Sequence, residues 1–195
     1  MDVELVAVSK QQPGERIEAA IAAGQRIFGE NRVQEAEARW AGRRAGMPDL
    51  ELRLVGPLQS NKAKDAVALF DVIETLDRDK LAEALKAAIA QTGRTPRLYV
   101  QVNTGEEAQK AGVPPGETEA FLARVRDRHG LAVEGLMCIP PLAEEPALHF
   151  ALLADLAKRC GVAKLSMGMS ADFETAVRHG ASSVRIGSAL FGERA

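Results

Sequence analysis

Val3-Glu4-Leu5-Val6-Ala7-Val8-Ser9-Lys10-Gln11 is the stretch that separates the two α/β architectures open to this chain. Residues 3–8 form a run too short for a helix and rich in valine, which reads as a buried strand. A doubly wound dinucleotide-binding fold would leave that strand through a GxGxxG turn, whose glycines let the backbone approach a pyrophosphate. Here the strand runs into Ser9-Lys10-Gln11, with no glycine. A TIM-type barrel makes no such demand and gathers reactive side chains at the C-terminal ends of its strands.

Moving outward, the pattern repeats. Ile17, Ala20 and Ile21 recur at helical spacing before Gly24. Residues 26–29 read as a strand, and Val33, Ala36 and Trp40 as one helix face. Residues 51–55 and 72–76 read as strands around a helix bearing Ala63, Val67 and Phe70. Asp77 is the expected N-cap of a helix with Leu81, Leu85, Ala88 and Ile89, closed by Thr92-Gly93. Strand five spans residues 97–103. Residues 104–116 hold glycines and prolines without periodicity and read as a long loop, a type that is often functional. Helical stripes at Phe121, Leu122 and Val125, and at Leu148, Leu152, Leu153 and Leu156, flank a strand at 133–138. Short strands at 164–167 and 183–186 enclose a last full helix over 171–179. Eight strands with intervening helices predict a (β/α)8 barrel in one domain over residues 1–195, short against the ~250 residues typical of the fold.

Composition excludes several classes. The 195 residues are 46% hydrophobic and carry a formal net charge of −2. With scattered basic residues, one Trp, one Tyr and six Phe, no nucleic-acid surface is visible. No apolar stretch is long enough to span a membrane, and the N-terminus resembles no signal peptide. Cys138 and Cys160 stand apart, with no metal-ligand or disulfide pattern around them. A cytoplasmic monomer without heptads is the expectation.

Lys10 falls immediately after strand one, where a partly desolvated amine is able to lose its proton and attack a carbonyl, although a lysine at a strand end is more often a solvated loop charge. Phosphate in barrels is usually gripped after strands seven and eight. There the chain reads Leu165-Ser166-Met167-Gly168-Met169-Ser170 and Val184-Arg185-Ile186-Gly187-Ser188. Small residues followed by helix starts let backbone amides reach an anion, with hydroxyls from Ser170 and Ser188. These serines serve equally well as N-caps, and Asp172 and Glu174 would repel a phosphate if they faced it. The combination suggests a phosphorylated carbonyl ligand, either pyridoxal 5'-phosphate (PLP) or an aldolase-type sugar phosphate. Lys110, Lys62 and Lys64 read as solvated lysines, and His129, His149 and His179 as surface or helix-end histidines.

Six segments carry a resemblance to the YggS/PROSC family of PLP homeostasis proteins. They are Leu5-Val6-Ala7-Val8-Ser9-Lys10, Phe28-Gly29-Glu30-Asn31-Arg32-Val33-Gln34-Glu35-Ala36, Gly56-Pro57-Leu58-Gln59-Ser60-Asn61-Lys62, Gly135-Leu136-Met137, and the two stretches around Ser166 and Arg185. The resemblance implies an alanine-racemase-like barrel without the racemase's β-rich second domain, with PLP held as an aldimine on Lys10. It implies Ser166 and Arg185 near the pyridine ring, Asn31 projecting towards it, and Ser170, Gly187 and Ser188 on the phosphate. Two features depart from the family. The usual N-terminal helix before strand one is missing, and Leu52-Arg53-Leu54 stands where an aromatic-histidine-aromatic run is usual, which puts closure and packing at the barrel base in question.

A charged arginine at the ring nitrogen keeps that nitrogen unprotonated and weakens the ring as an electron sink. Together with a single open lysine site, this favours a PLP carrier that serves vitamin B6 homeostasis and supplies PLP-dependent apo-enzymes, without turnover. The alternatives are a PLP-dependent amino-acid racemase, with Tyr99 as a second base, or a Schiff-base aldolase.

Overall fold

The computed structural model describes residues 2–192. Eight parallel strands close into a barrel in chain order. They are β1 (Glu4–Val8), β2 (Ile27–Glu30), β3 (Glu51–Leu54), β4 (Val72–Leu76), β5 (Arg97–Val102), β6 (Gly135–Cys138), β7 (Lys164–Met169) and β8 (Ser183–Ile186). Closure is made by β1, which pairs with β2 through Ala7 and Phe28 and with β8 from Glu4 opposite Ser183 to Ala7 opposite Ile186. The helices are α1 (Gly14–Ala22), α2 (Val33–Arg44), α3 (Ala63–Leu69), α4 (Asp79–Thr92), α5 (Thr118–Asp127), α6 (Pro146–Cys160), α7 (Phe173–Arg178) and the short α8 (Ser188–Phe191).

Alternation along each strand divides the interior in two. Residues facing the helices are apolar: Ala7, Phe28, Leu52, Leu54, Ile73, Leu98, Val100 and Leu136 pack against Ile17, Ala36, Trp40, Val67, Leu85, Val125 and Leu153. The Phe28 and Trp40 rings lie 4.6 Å apart. Full burial of such side chains contributes about 1.5–3 kcal/mol each, which makes this shell the main source of stability. The lumen is different. Val72, Tyr99 and Met137 form a separate small cluster there, accompanied by buried Arg53, Glu74, Ser166 and Arg185.

The base of the barrel is closed, and Leu52-Arg53-Leu54 does not disturb it. Leu52 and Leu54 join the outer shell, while Arg53 turns into the lumen and is fully buried. Its Nε donates to Glu51 Oε1 at 2.6 Å and its Nη2 to Glu4 Oε2 at 2.6 Å, with Glu74 Oε1 3.4 Å from Nη1. Burial opposes the Arg53 charge, but the three carboxylates override it and push its pKa higher still. Gly135 belongs to this packing, since a Cβ there would stand 2.3 Å from the Lys164 carbonyl oxygen and 2.7 Å from the Tyr99 ring.

Several local expectations need correction. Arg78, not Asp77, is the N-cap of α4. Asp77 accepts from Arg78 Nη1 at 2.6 Å and from the Gly112 amide at 3.3 Å, so it anchors the 104–116 loop. That loop is not free: Val113 is buried, its amide donates to the Gln101 carbonyl at 2.8 Å, and a 3-10 turn follows at Pro115–Glu117. On α6, Leu148 is 71% exposed and the inner face carries His149, Phe150, Leu153 and Leu156 instead. His129 and His149 are buried and face Asp79 and Glu144.

Candidate functional site

The C-terminal rim of the barrel contains a cavity of about 280 Å3, just below the ~300–1,000 Å3 range of ligand pockets. Six of the seven residues expected at a cofactor site line it: Lys10, Asn31, Ser170, Arg185, Gly187 and Ser188. Val8, Val55 and Ile139 supply apolar wall. The lining residues come from the ends of β1, β2, β3, β6, β7 and β8, so strands far apart in sequence are brought together only by closure of the barrel.

Lys10 sits in the turn after β1, half-buried. Its strand end is held from outside the lumen. Ser9 Oγ donates to Glu30 Oε1 at 2.7 Å, Trp40 Nε1 to the same oxygen at 3.0 Å, and Arg39 Nη1 bridges that oxygen at 2.6 Å and the Ser9 carbonyl at 2.8 Å. Glu30 and Ser9 are both fully buried. These partners fix the backbone on either side of the lysine, and Gln11 beside it adopts a left-handed φ of 57°.

The loops after β7 and β8 are tied to each other. Ser170 Oγ accepts from the Gly187 amide at 3.3 Å and the Ala189 amide at 3.2 Å, which brings a hydroxyl and two backbone donors to one spot. Gly168 makes the approach feasible: its φ is +94°, and a Cβ there would lie 2.5 Å from Ala176 Cβ. Asp172 accepts from the Met169 amide at 2.6 Å, and Glu174 pairs with Arg178 at 3.6 Å, so each acid has its own cationic or amide partner. The donor set suits a phosphate.

Ser166 is the expected residue that does not line the cavity. It is fully buried behind Arg185, accepting from Arg185 Nη1 at 2.7 Å and donating to Glu74 Oε2 at 2.5 Å. Arg185 is 4% exposed, and its Nη2 donates to the Cys138 carbonyl at 2.7 Å. Glu74, Glu30 and Arg39 were not legible as site-supporting residues from the sequence. The signal available for both glutamates is a carboxylate inside or at the end of an apolar strand, where an acid is rarely buried unless partnered.

Other candidates stand elsewhere. Lys110 is ion-paired with Glu107 and lies outside the cavity lining. Tyr99 is in the lumen at 1% exposure, and burial raises its phenol well above the ordinary range, which removes it as a second base at the rim. The Cys138 thiol is buried and pushed up to about 12 by that burial, so it is not a reactive thiolate. Among the described residues no group of histidines, cysteines and acids is placed to hold a metal. A wider cleft of about 790 Å3, shared through Asn31 and lined in part by Arg32, Gln59, Lys62 and Arg78, opens beside the cavity. It holds no amine at a strand end, so the smaller cavity is the better candidate for carbonyl chemistry.

The model of the alanine racemase N-terminal domain matches residues 1–195. The pyridoxal phosphate homeostasis protein of Pseudomonas aeruginosa is 42% identical over 98% of this chain and 85% of its own length. The chain belongs to the pyridoxal phosphate homeostasis protein family. The family member of Escherichia coli is 36% identical over 99% of this chain and 86% of its own. PipY of Synechococcus elongatus, solved with PLP bound, is 42% identical over 97% of this chain and 92% of its own, with a TM-score of 0.86. Alanine racemase of Clostridium difficile, at 16% identity and a TM-score of 0.78 over 53% of its length, shares the fold alone. This homeostasis-family chain therefore has the barrel its sequence predicts, and among the described residues no helix is long and apolar enough to cross a membrane.

Proposed function

We propose that the chain binds PLP in the rim cavity, covalently as a Schiff base on Lys10, and carries or buffers it without turning over a substrate of its own. The observation that carries this reading is the convergence of Lys10 and the Ser170, Gly187 and Ser188 loops on one cavity of about 280 Å3. When bound, PLP supplies an electrophilic carbonyl and an electron-withdrawing ring. The Lys10 amine takes the carbonyl end. The Ser170 hydroxyl and the Ser188 amide would take the phosphate, joined by the Gly187 amide once it exchanges its Ser170 acceptor for the anion, in the manner of donors at strand-to-helix junctions. Asn31 and Arg185, both in the cavity lining, would hold the ring, with Arg185 as the donor to its nitrogen. A guanidinium does not give up its proton, so the ring nitrogen stays unprotonated and carbanion chemistry is disfavoured.

Absence of turnover is supported further by Tyr99, which is sealed in the lumen and does not offer a base on the opposite ring face. The names of the P. aeruginosa and E. coli relatives point the same way. We read the protein as a cytoplasmic monomer that hands PLP to apo-enzymes, a state that size-exclusion chromatography checks directly.

The test is an absorption spectrum of the full chain with PLP, before and after borohydride reduction, followed by peptide mass mapping. Wild type is expected to give a reducible band and a phosphopyridoxyl adduct on Lys10, both lost in Lys10→Ala. No adduct in wild type would overturn the reading and bring a sugar-phosphate aldolase forward.

A further inference from the structure

The cavity reading leaves a file of charge in the lumen unexplained. At its upper end, Arg185 forms part of the cavity wall. Below it stand Ser166, then Glu74, then Arg53, which Glu4 and Glu51 hold from the base. Glu74 is fully buried and lies between two guanidiniums, its Oε2 4.0 Å from Arg185 Nη1 and its Oε1 3.4 Å from Arg53 Nη1. A buried carboxylate of this kind is costly to desolvate and destabilising to leave unpaired, so its placement under the cavity calls for a reason.

Hydrogen-bond polarity supplies one. A serine hydroxyl has a single proton, and an ionised carboxylate only accepts. Facing Glu74 at 2.5 Å, Ser166 must give its proton downward and is left with lone pairs for Arg185, whose Nη1 it receives at 2.7 Å. The Cys138 carbonyl fixes Nη2 at 2.7 Å, and two acceptors determine the plane of a rigid guanidinium fork. A glutamine at position 74 would be free to turn its amide N–H groups towards Ser166, so that amide and guanidinium compete for the lone pairs of one oxygen and the hydroxyl proton loses the acceptor that fixes it.

We propose that Glu74 is a positioning residue for the cofactor: acting through the Ser166 hydroxyl, it sets the plane and direction of the Arg185 guanidinium presented to the ring nitrogen. Arg53 holds Glu74 in place from the other side. The inference rests on the reading that the cavity binds PLP, and it predicts a defect confined to one part of the ligand.

The probes are PLP and its analogue with C–H in place of the ring nitrogen, which keeps the same aldehyde and phosphate. Each is titrated by fluorescence into the full chain stripped of cofactor. Glu74→Gln is expected to weaken PLP roughly tenfold, as for a lost hydrogen bond to a charged group, and to leave the analogue within about twofold of wild type. Ser166→Ala is expected to show the same selectivity while leaving the Glu74–Arg53 pair intact, and it carries the test if Glu74→Gln does not fold. Equal weakening of both ligands, or of neither, overturns the positioning role. Failure of wild type to form a borohydride-fixed adduct on Lys10 overturns the cofactor reading itself, and this inference with it.

Discussion

At the base of the barrel Arg53 is wedged among Glu4, Glu51 and Glu74, whereas at the mouth Lys10, Ser170 and Gly187 leave a cavity of about 280 Å3. The same eight strands make both ends. At the base, long charged side chains fill the space and satisfy one another; at the mouth, small residues withdraw and leave donors without bulk. TIM-type lumens are usually filled by branched aliphatic residues, which pack without needing partners. A charged filling needs every group paired, and the pairing here extends upward until it reaches the cavity wall. Charge pairing at the base and the proposed ligand site at the mouth thus occupy opposite ends of one structure and meet at Glu74.

The largest expected effect breaks the base. Arg53→Leu strips three carboxylates of their shared cation and leaves buried Glu74 to Ser166 and the more distant Arg185, at a cost of about 3–5 kcal/mol. Urea denaturation followed by circular dichroism measures it; a loss below about 1 kcal/mol would show that the base is not held by charge.

A smaller effect belongs to the mouth. Ser170→Ala removes the acceptor that joins Gly187 and Ala189 and, with it, the hydroxyl proposed to donate to the phosphate. PLP affinity is expected to fall roughly tenfold, the worth of about 1.4 kcal/mol, while unfolding stability moves by less than about 1 kcal/mol. Equal losses in binding and stability would blur the division between the two ends.

The smallest effect is a pH dependence. Burial raises the Glu4 carboxyl, but the hydrogen bond and charge of Arg53, with Lys164 and Arg97, outweigh it and hold Glu4 below its ordinary value. Because the folded value is the lower one, this contribution is fully present above the ordinary carboxylate range and is lost as pH falls through the folded value. Glu4→Gln is therefore expected to lower the urea midpoint at neutral pH, with the gap to wild type closing in acid. A gap that widens in acid would contradict the assigned sign.

The fold was legible because short strand-like stretches such as 3–8 and 97–103, the helical spacings between them, and the missing glycine fingerprint after Val8 depend on local pattern alone. Of the candidate site, Lys10 and the loops of Ser170 and Gly187–Ser188 were legible from their places after strands one, seven and eight, whereas Asn31, Ser166 and Arg185 came only from the family resemblance. The base was not. Arg53 looks like a fault in an apolar strand until alternation and closure bring Glu4 and Glu74 opposite it, partners 49 and 21 residues away. His149 was misassigned because its helix offers Leu148 at an equally plausible position, and only packing decides which of the two turns inward.

The most direct measurement of the central claim is a crystal structure of the chain grown with PLP. Continuous density from Lys10 Nζ to the ligand, with its phosphate between the Ser170 and Gly187–Ser188 loops and Arg185 at the ring nitrogen, is the predicted result. PLP seated in the wider cleft beside Lys62 and Arg78, with no bond to Lys10, would contradict it.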